Sequence, residues 1–135
     1  MRVAIHNITF DCADAHAQAH FWSQLTGWNV YYDDDPEVVV APRFPHDGTG
    51  LLFIPVPEGK TAKNRVHLDL QPQDQTRDEA VARAVQLGAS VLADHRTPEG
   101  LGWVVLSDPE GNEFCIERSI TERTVGPQEY RIGTE

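Results

Sequence analysis

The chain has 135 residues and a formal net charge of −10 at pH 7, and 40% of its residues are hydrophobic. This length is typical of one domain, and its cations cluster only at residues 60–65. That argues against nucleic acid and membranes as partners, because phosphate backbones and anionic surfaces are bound by clustered positive charge. The sequence has no apolar run near the roughly 18 residues of a membrane-spanning helix and no signal-peptide pattern. We therefore expect a cytoplasmic protein whose two cysteines, Cys12 and Cys115, are free thiols.

The first half of the chain predicts a strand, a helix and three further strands. A strand is expected at residues 3–12, where apolar and polar residues alternate towards its end. A helix at residues 15–25 begins after Asp14, a good N-cap, and ends before Gly27. Three short strands follow at residues 28–32, 37–41 and 51–56, with turn residues between them at 33–36 and 46–48.

The second half predicts the same order of elements. Alternation at residues 66–71 indicates a strand. Thr76 and Glu79 form the capping-box pattern of a helix that runs to Leu87 and ends before Gly88. Three strands follow at residues 90–94, 102–106 and 112–117, with a tight turn at 108–111.

An internal repeat relates the two halves. Gly50 and Phe53 recur as Gly111 and Phe114, each 61 residues later. Such a spacing indicates two copies of one β-α-β-β-β module. The predicted organisation is one domain with modules at 1–57 and 65–118, a linker at 58–64 and a polar tail at 119–135. Two modules that each leave one sheet face uncovered would meet at a cleft, where small ligands usually bind.

Four motifs carry a resemblance to a known family. They are His67-Leu68-Asp69-Leu70, the run from Asp108-Pro109-Glu110-Gly111 to Ile116, Lys63-Asn64-Arg65, and Phe21-Trp22 with Leu25-Thr26-Gly27-Trp28. Over residues 3–118 the chain resembles the vicinal oxygen chelate superfamily, and within it the glyoxalase-like domains related to bleomycin-resistance proteins. The resemblance implies an α+β fold in which two βαβββ modules form a curved, eight-stranded, open barrel-like sheet with flanking helices. It also implies pairing of modules within a chain or across a dimer, and we expect a homodimer.

The resemblance further implies positions for a divalent ion. In metal-dependent members, two side chains from each module, on its first and last strands, hold an ion that acts as a Lewis acid on vicinal oxygens of the substrate. Strand phase assigns these positions to Asn7, Ile54, His67 and Cys115. Because Ile54 has no donor atom and Asn7 is a weak ligand, we expect no standard metal centre and no other cofactor.

Two alternatives to this assignment stay open. His6 is as far from Gly27 as His67 is from Gly88, although its phase places it on the apolar face. A Cys–His pair would suit Zn²⁺, and Glu113 or Glu117 would add a carboxylate if the register shifted by two residues.

His67 and Asp69 are the candidate catalytic residues, because a histidine beside a carboxylate can transfer protons near neutral pH. The alternative is a structural hydrogen bond between them or to Arg65. The residues expected to line a ligand-binding cleft are Asn7, Thr9, Ile54, Arg65, Trp103, Glu113 and Cys115.

Several of these side chains also have simpler interpretations. Core packing is favoured over ligand stacking for Trp103, and a small buried hydrophobe is favoured over a nucleophile for Cys115. Lys63-Asn64-Arg65 could clamp an anionic ligand at the cleft mouth, or Arg65 could pair with a carboxylate. The remaining loop and helix histidines are expected to be solvated: His16, His20, His46 and His95.

The sequence therefore favours a glyoxalase-like protein that binds a small molecule without the standard divalent ion. The alternative is a lyase- or isomerase-type enzyme of the superfamily that uses His67 and Asp69, or an atypical metal site. We do not expect a standard glyoxalase I, because this chain lacks the complete set of four metal ligands. We do not expect an extradiol dioxygenase either, because the chain lacks the iron triad of two histidines and one carboxylate.

Overall fold

The computed structural model describes residues 1–32 and 36–128. It contains two compact units, Met1–Ala62 and Lys63–Glu135. Most of the turn predicted at residues 33–36 and the end of the tail predicted at 119–135 lie outside the described residues. Among the described residues, no helix has the length and apolar character needed to cross a membrane.

The first unit is one βαβββ module, as predicted. Its elements are β1 (Asn7–Cys12), α1 (Ala15–Thr26), β2 (Asn29–Tyr32), β3 (Val38–Ala41) and β4 (Gly50–Pro55). The strands form one sheet in the order β1-β4-β3-β2, in which β1 and β4 are parallel and the other pairs antiparallel. β1 begins later than predicted, and Val3 and Ile5 before it are 88% and 70% exposed.

Helix α1 covers one face of this sheet. Asp14 accepts a hydrogen bond from the Ala17 N–H at 3.0 Å, and Gly27 ends the helix with φ of 75°, both as predicted. Trp22 is 1% exposed and packs on Phe10, with ring centroids 5.3 Å apart. Because Phe10 pairs with Phe53, the opposite face of β1 and β4 carries Asn7, Thr9, Asp11, Leu52 and Ile54.

The second unit repeats the module and adds a helix. Its elements are β5 (Leu68–Leu70), α2 (Arg77–Leu87), β6 (Ser90–Asp94), β7 (Val104–Ser107), β8 (Glu113–Ile116) and α3 (Ile120–Val125). The sheet order is β5-β8-β7-β6, again with the first pair parallel. The eight strands thus form two four-stranded mixed sheets, which confirms the α+β class and the two βαβββ modules.

The predicted signals of the second module are confirmed. Thr76 and Glu79 form a reciprocal capping box at the start of α2. The turn before β8 is built on Asp108, which is 3% exposed and accepts hydrogen bonds from the N–H groups of Glu110 and Asn112 at 2.9 and 3.0 Å. This turn fixes the β7–β8 register, in which Val105 is opposite Cys115.

Helix α3 was not predicted. Ser119 and Glu122 form a second capping box at its start, and Glu122 also accepts a hydrogen bond from the Arg77 N–H at 2.8 Å. Burial acts to raise the pKa of Glu122, but hydrogen bonds from the Ser119 and Arg77 N–H groups outweigh it, so the pKa is lowered. The Ser-x-x-Glu pattern is a helix-start signal that the sequence does contain.

The strand registers correct one correspondence between the modules. Ile54 pairs with Asp11 in the first unit, and Cys115, its counterpart in the repeat, pairs with Asp69 in the second. Asp11 and Asp69 are therefore equivalent positions. His67 lies two residues before Asp69 and Thr9 lies two residues before Asp11, so His67 corresponds to Thr9 and not to Asn7. The cause is the connection from first strand to helix, which is residues 13–14 in the first module and the longer 71–76 in the second.

Candidate functional site

A cavity of about 330 Å³ lies within the second unit, and we call it the second-unit pocket. It is lined by His67, Asp69, Gly102, Trp103, Cys115, Glu117 and Arg123. Four of the predicted site residues thus come together there. Arg65 is exposed, and Asn7, Thr9 and Ile54 belong to the first unit.

Strands β5 and β8 form the floor of the second-unit pocket. Because Asp69 pairs with Cys115, the alternation of side chains places His67 and Asp69 on the same face as the thiol. One nitrogen, oxygen or sulfur atom of each residue lies within 4.8 Å of the others, and Cys115 Sγ is 3.9 Å from His67 Nδ1. The predicted His67–Asp69 pair is therefore part of a cluster of three.

Cys115 is a protonated thiol at neutral pH. It is 4% exposed, and burial raises its pKa to about 11, assisted by the charge of Asp69, a hydrogen bond to that carboxylate and the charges of Glu113 and Glu117. Burial of Cys115 is confirmed. A thiol that keeps its proton is a poor nucleophile, so the pocket does not activate Cys115 for attack.

Carboxylates surround this thiol, and two of them have cationic partners. Glu117 Oε2 lies 3.5 Å from Arg123 Nη2. Glu113 pairs with Lys63 Nζ at 2.5 Å and accepts a hydrogen bond from the Asn64 N–H at 3.2 Å. Lys63 is thus engaged with a carboxylate, a pairing that the sequence analysis considered only for Arg65. Among the described residues, no ion pair joins Asp69 to a cation, and its charge faces the cavity.

An aromatic side chain forms one wall of the pocket. Trp103 is 46% exposed, and its ring lies 4.8 Å from that of His95. The prediction of core packing for Trp103 is wrong, because Val104, its neighbour on the other sheet face, takes the core position with 0% exposure. His95 is exposed as predicted, and its ring also packs against the indole of Trp103.

Gly102 and Arg123 also line the pocket, and the sequence reasoning missed both. Gly102 has φ of 91°, and a Cβ atom there would lie 1.9 Å from the His95 carbonyl oxygen. Arg123 is presented by α3, so the capping-box pattern at Ser119 would have placed it on a helix after β8. No sequence signal indicates that the helix turns this side chain towards the pocket.

A second cavity, of about 350 Å³, lies within the first unit beside His46. Its lining consists of Trp28, Pro42, Arg43, His46, Asp47, Gly48 and Thr49. The His46 ring stacks on His6 at 4.4 Å, and its Nε2 lies 2.8 Å from Asn7 Oδ1. The prediction that His46 is merely solvated is therefore wrong, because its ring is packed and hydrogen-bonded.

The second-unit pocket contains donor atoms that suit a divalent ion. Histidine, cysteine and carboxylate are all zinc ligands, and three protein ligands with an open position are typical of catalytic zinc sites. The observed sulfur-to-nitrogen distance of 3.9 Å is close to the ~3.5 Å edge expected from zinc bond lengths and tetrahedral angles. His67, Asp69 and Cys115 therefore fit Zn²⁺, which would act as a Lewis acid on a bound substrate.

Comparisons with known proteins bear on the fold. A family model described as "Glyoxalase-like domain" matches residues 7–117. The chain is similar to the fosfomycin resistance protein FosX from Listeria monocytogenes, with 16% identity, a TM-score of 0.69 and coverage of 93% of this chain and 98% of that one. No curated protein sequence matches significantly.

Two further solved structures are similar. A glyoxalase/bleomycin resistance protein/dioxygenase family enzyme from Burkholderia phytofirmans PsJN shows 18% identity and a TM-score of 0.65, over 87% of this chain and 99% of that one. A lactoylglutathione lyase from Agrobacterium tumefaciens shows 21% identity and a TM-score of 0.58, over 86% and 93%. At such low sequence identities, the structural similarity demonstrates a shared fold alone.

Proposed function

This chain belongs to the glyoxalase-like domain family, and we propose that it binds a flat aromatic cation in the second-unit pocket without a metal ion. The observation that carries the proposal is the half-exposed Trp103 beside a cluster of carboxylates in one cavity. An indole face attracts planar rings and cations, and Asp69 supplies a counter-charge.

The charges around the pocket favour a cation over an anion. Asp69, Glu113 and Glu117 all act to raise the pKa of Cys115, which shows that the field at the thiol is negative. Arg123 and Lys63 each pair with one of these carboxylates. The chain as a whole carries a net charge of −10, which adds a longer-range attraction for cations.

The protonated thiol also fits a binding role. Cys115 keeps its proton beside Asp69, and the carboxylate is an acceptor for a ligand N–H group. Binding of an organic cation needs no ionisation of this thiol.

The test uses two tricyclic probes of the same shape and opposite charge. We expect 9-aminoacridine, a cation at pH 7, to bind and raise the melting temperature, and anthracene-9-carboxylate to bind at least tenfold more weakly. In calorimetry, Asp69→Asn should weaken the cation about tenfold or more, because a hydrogen bond to a charged group contributes about 1.5 kcal/mol or more. Trp103→Ala should weaken both probes.

Asp74→Asn is the matched control. Asp74 is exposed and lies outside the pocket lining, so this variant removes the same charge while leaving the site intact. If Asp74→Asn weakens 9-aminoacridine as much as Asp69→Asn does, the attraction comes from net charge and not from the pocket. Equal affinity of the wild-type protein for both probes would overturn the proposed cation preference.

A second candidate function is a zinc-dependent enzyme, and the cluster of His67, Asp69 and Cys115 favours it. Similar folds include a lactoylglutathione lyase. In the same melting assay, Zn²⁺ should then raise the melting temperature of the wild-type protein but not of His67→Gln, since a ligand that binds only the native state stabilises it. That outcome, with no response to 9-aminoacridine, would replace the binding proposal with the enzyme.

A further inference from the structure

We propose that Arg77 is a positioning residue that holds both walls of the second-unit pocket. It is the first residue of α2 and lies outside the set of residues that line the cavity. The inference concerns the pocket of the proposed function and rests on it for its biological meaning, but its principal test needs no ligand.

The guanidinium of Arg77 holds the loop that carries the aromatic wall. Arg77 is 5% exposed, and its Nη1 donates hydrogen bonds to the carbonyl oxygens of Leu101 at 2.8 Å and Gly102 at 3.1 Å. These two peptides lead directly into Trp103. Because a guanidinium presents its donors in a rigid plane, the two bonds together fix the orientation of the backbone before the indole.

The backbone of Arg77 holds the other wall. Its N–H donates to Glu122 Oε1 at 2.8 Å, and the same oxygen accepts a hydrogen bond from the Ser119 N–H at 2.9 Å. Glu122 belongs to the capping box that starts α3, and the next residue, Arg123, lines the pocket beside Glu117. One residue therefore connects α2 to the loop and to α3.

The chemistry of the position indicates that α2 itself does not need an arginine there. A cation in the first turn is opposed by the helix dipole, and a buried charge is costly unless it is paired and hydrogen-bonded. Thr76 and Glu79 already cap the helix. Arg77 does pair with Asp78, its Nε lying 3.1 Å from Oδ1, but its deeper contacts are the two loop carbonyls.

The primary test measures acrylamide quenching of Trp103 fluorescence in a Trp28→Phe background. Trp22, the other remaining tryptophan, is 1% exposed and contributes little quenching. Arg77→Gln should raise the quenching constant of Trp103 by up to about twofold, because the indole is 46% exposed in the native loop and would become fully exposed. Arg77→Lys, which keeps the charge but not the planar donors, should give an intermediate value.

Arg83→Gln is the matched control, since Arg83 lies exposed on the same helix. It should leave the quenching constant unchanged. A purely structural role for Arg77 would lower the melting temperature of Arg77→Gln while quenching of the folded variant, measured well below that temperature, stayed at the wild-type value. That result would overturn the inference. If Arg77→Gln does not fold, a wild-type quenching constant in Arg77→Lys would overturn it instead.

Binding of 9-aminoacridine separates this inference from the proposed function. If the wild-type protein binds the probe, Arg77→Gln should weaken it about tenfold through the displaced indole. If the wild-type protein does not bind it but quenching still rises in Arg77→Gln, the ligand proposal fails and the positioning role stands. Wild-type affinity and wild-type quenching in Arg77→Gln would refute the positioning role alone.

Discussion

Cys115 illustrates how the environment of one residue decides its chemistry. Its pKa of about 11 results first from burial and then from Asp69 and the neighbouring glutamates. The unfolded chain loses this proton near pH 9.0, whereas the native state keeps it until about pH 11. Ionisation therefore favours unfolding across that interval, and we expect the contribution of this thiol to stability to be lost as the pH rises through it.

Alkylation by iodoacetamide checks this raised pKa. In a Cys12→Ala background, Cys115 should react about one-hundredth as fast at pH 8 as an ordinary cysteine, because the thiolate is the reactive form. Asp69→Asn should lower the pKa and speed the reaction, whereas Asp74→Asn should not. A rate profile with its midpoint at the ordinary value of 9.0 would contradict the described environment.

For single residues, alternation along a strand was sufficient to place His67 and Asp69 on the face of Cys115. It was not sufficient for Trp103, since alternation gives the face of a side chain but not whether another element covers that face. His46 was misjudged for a related reason. Its contacts with His6 and Asn7 are 40 and 39 residues distant along the chain, and no local pattern encodes them.

The loop between β6 and β7 contains two glycines of similar conformation, so the effect of a close backbone contact on stability can be separated there from the effect of a positive φ. Gly100 has φ of 93° with open space around its missing Cβ, whereas a Cβ at Gly102 would collide with the His95 carbonyl oxygen. Gly100→Ala should cost about 1 kcal/mol of unfolding free energy from backbone strain alone. Gly102→Ala should cost at least twice as much.

Urea denaturation of the two variants measures this difference, and the quenching of Trp103 gives a second readout. Gly102→Ala should also alter quenching, because the loop must move His95 or Trp103 to relieve the collision. Equal losses of stability in the two variants would show that the close approach of the His95 carbonyl does not constrain this loop.

Elements were largely predictable where their ends carry specific chemistry. Asp14 and Gly27 delimit α1, and Thr76 with Glu79 starts α2 where expected. The mistaken correspondence of His67 with Asn7 arose because strand phase identifies the face of the strand, which Asn7 shares with Thr9, but not the register along it. The longer connection at residues 71–76 shifts the first strand of the second module, and loop length leaves no periodic signal.

At the scale of the whole molecule, the chain consists of two units with separate sheets, and the boundary lies between Ala62 and Lys63. All residues from 57 to 63 are exposed, and each sheet is hydrogen-bonded within its own unit. Exposed connecting segments of this kind are preferred sites of proteolysis, because the protease must accommodate an extended backbone.

Limited digestion with trypsin should therefore cut first after Lys60. Lys63 is the next cation along, but its ammonium group is paired with Glu113, and the residues that follow lead into β5. The initial products should be residues 1–60 and 61–135, identified by intact mass, and Lys60→Gln should slow the first cut. Initial cleavage within α2 at Arg83 would mean that the second module opens more readily than the connecting segment, contrary to the two compact units observed.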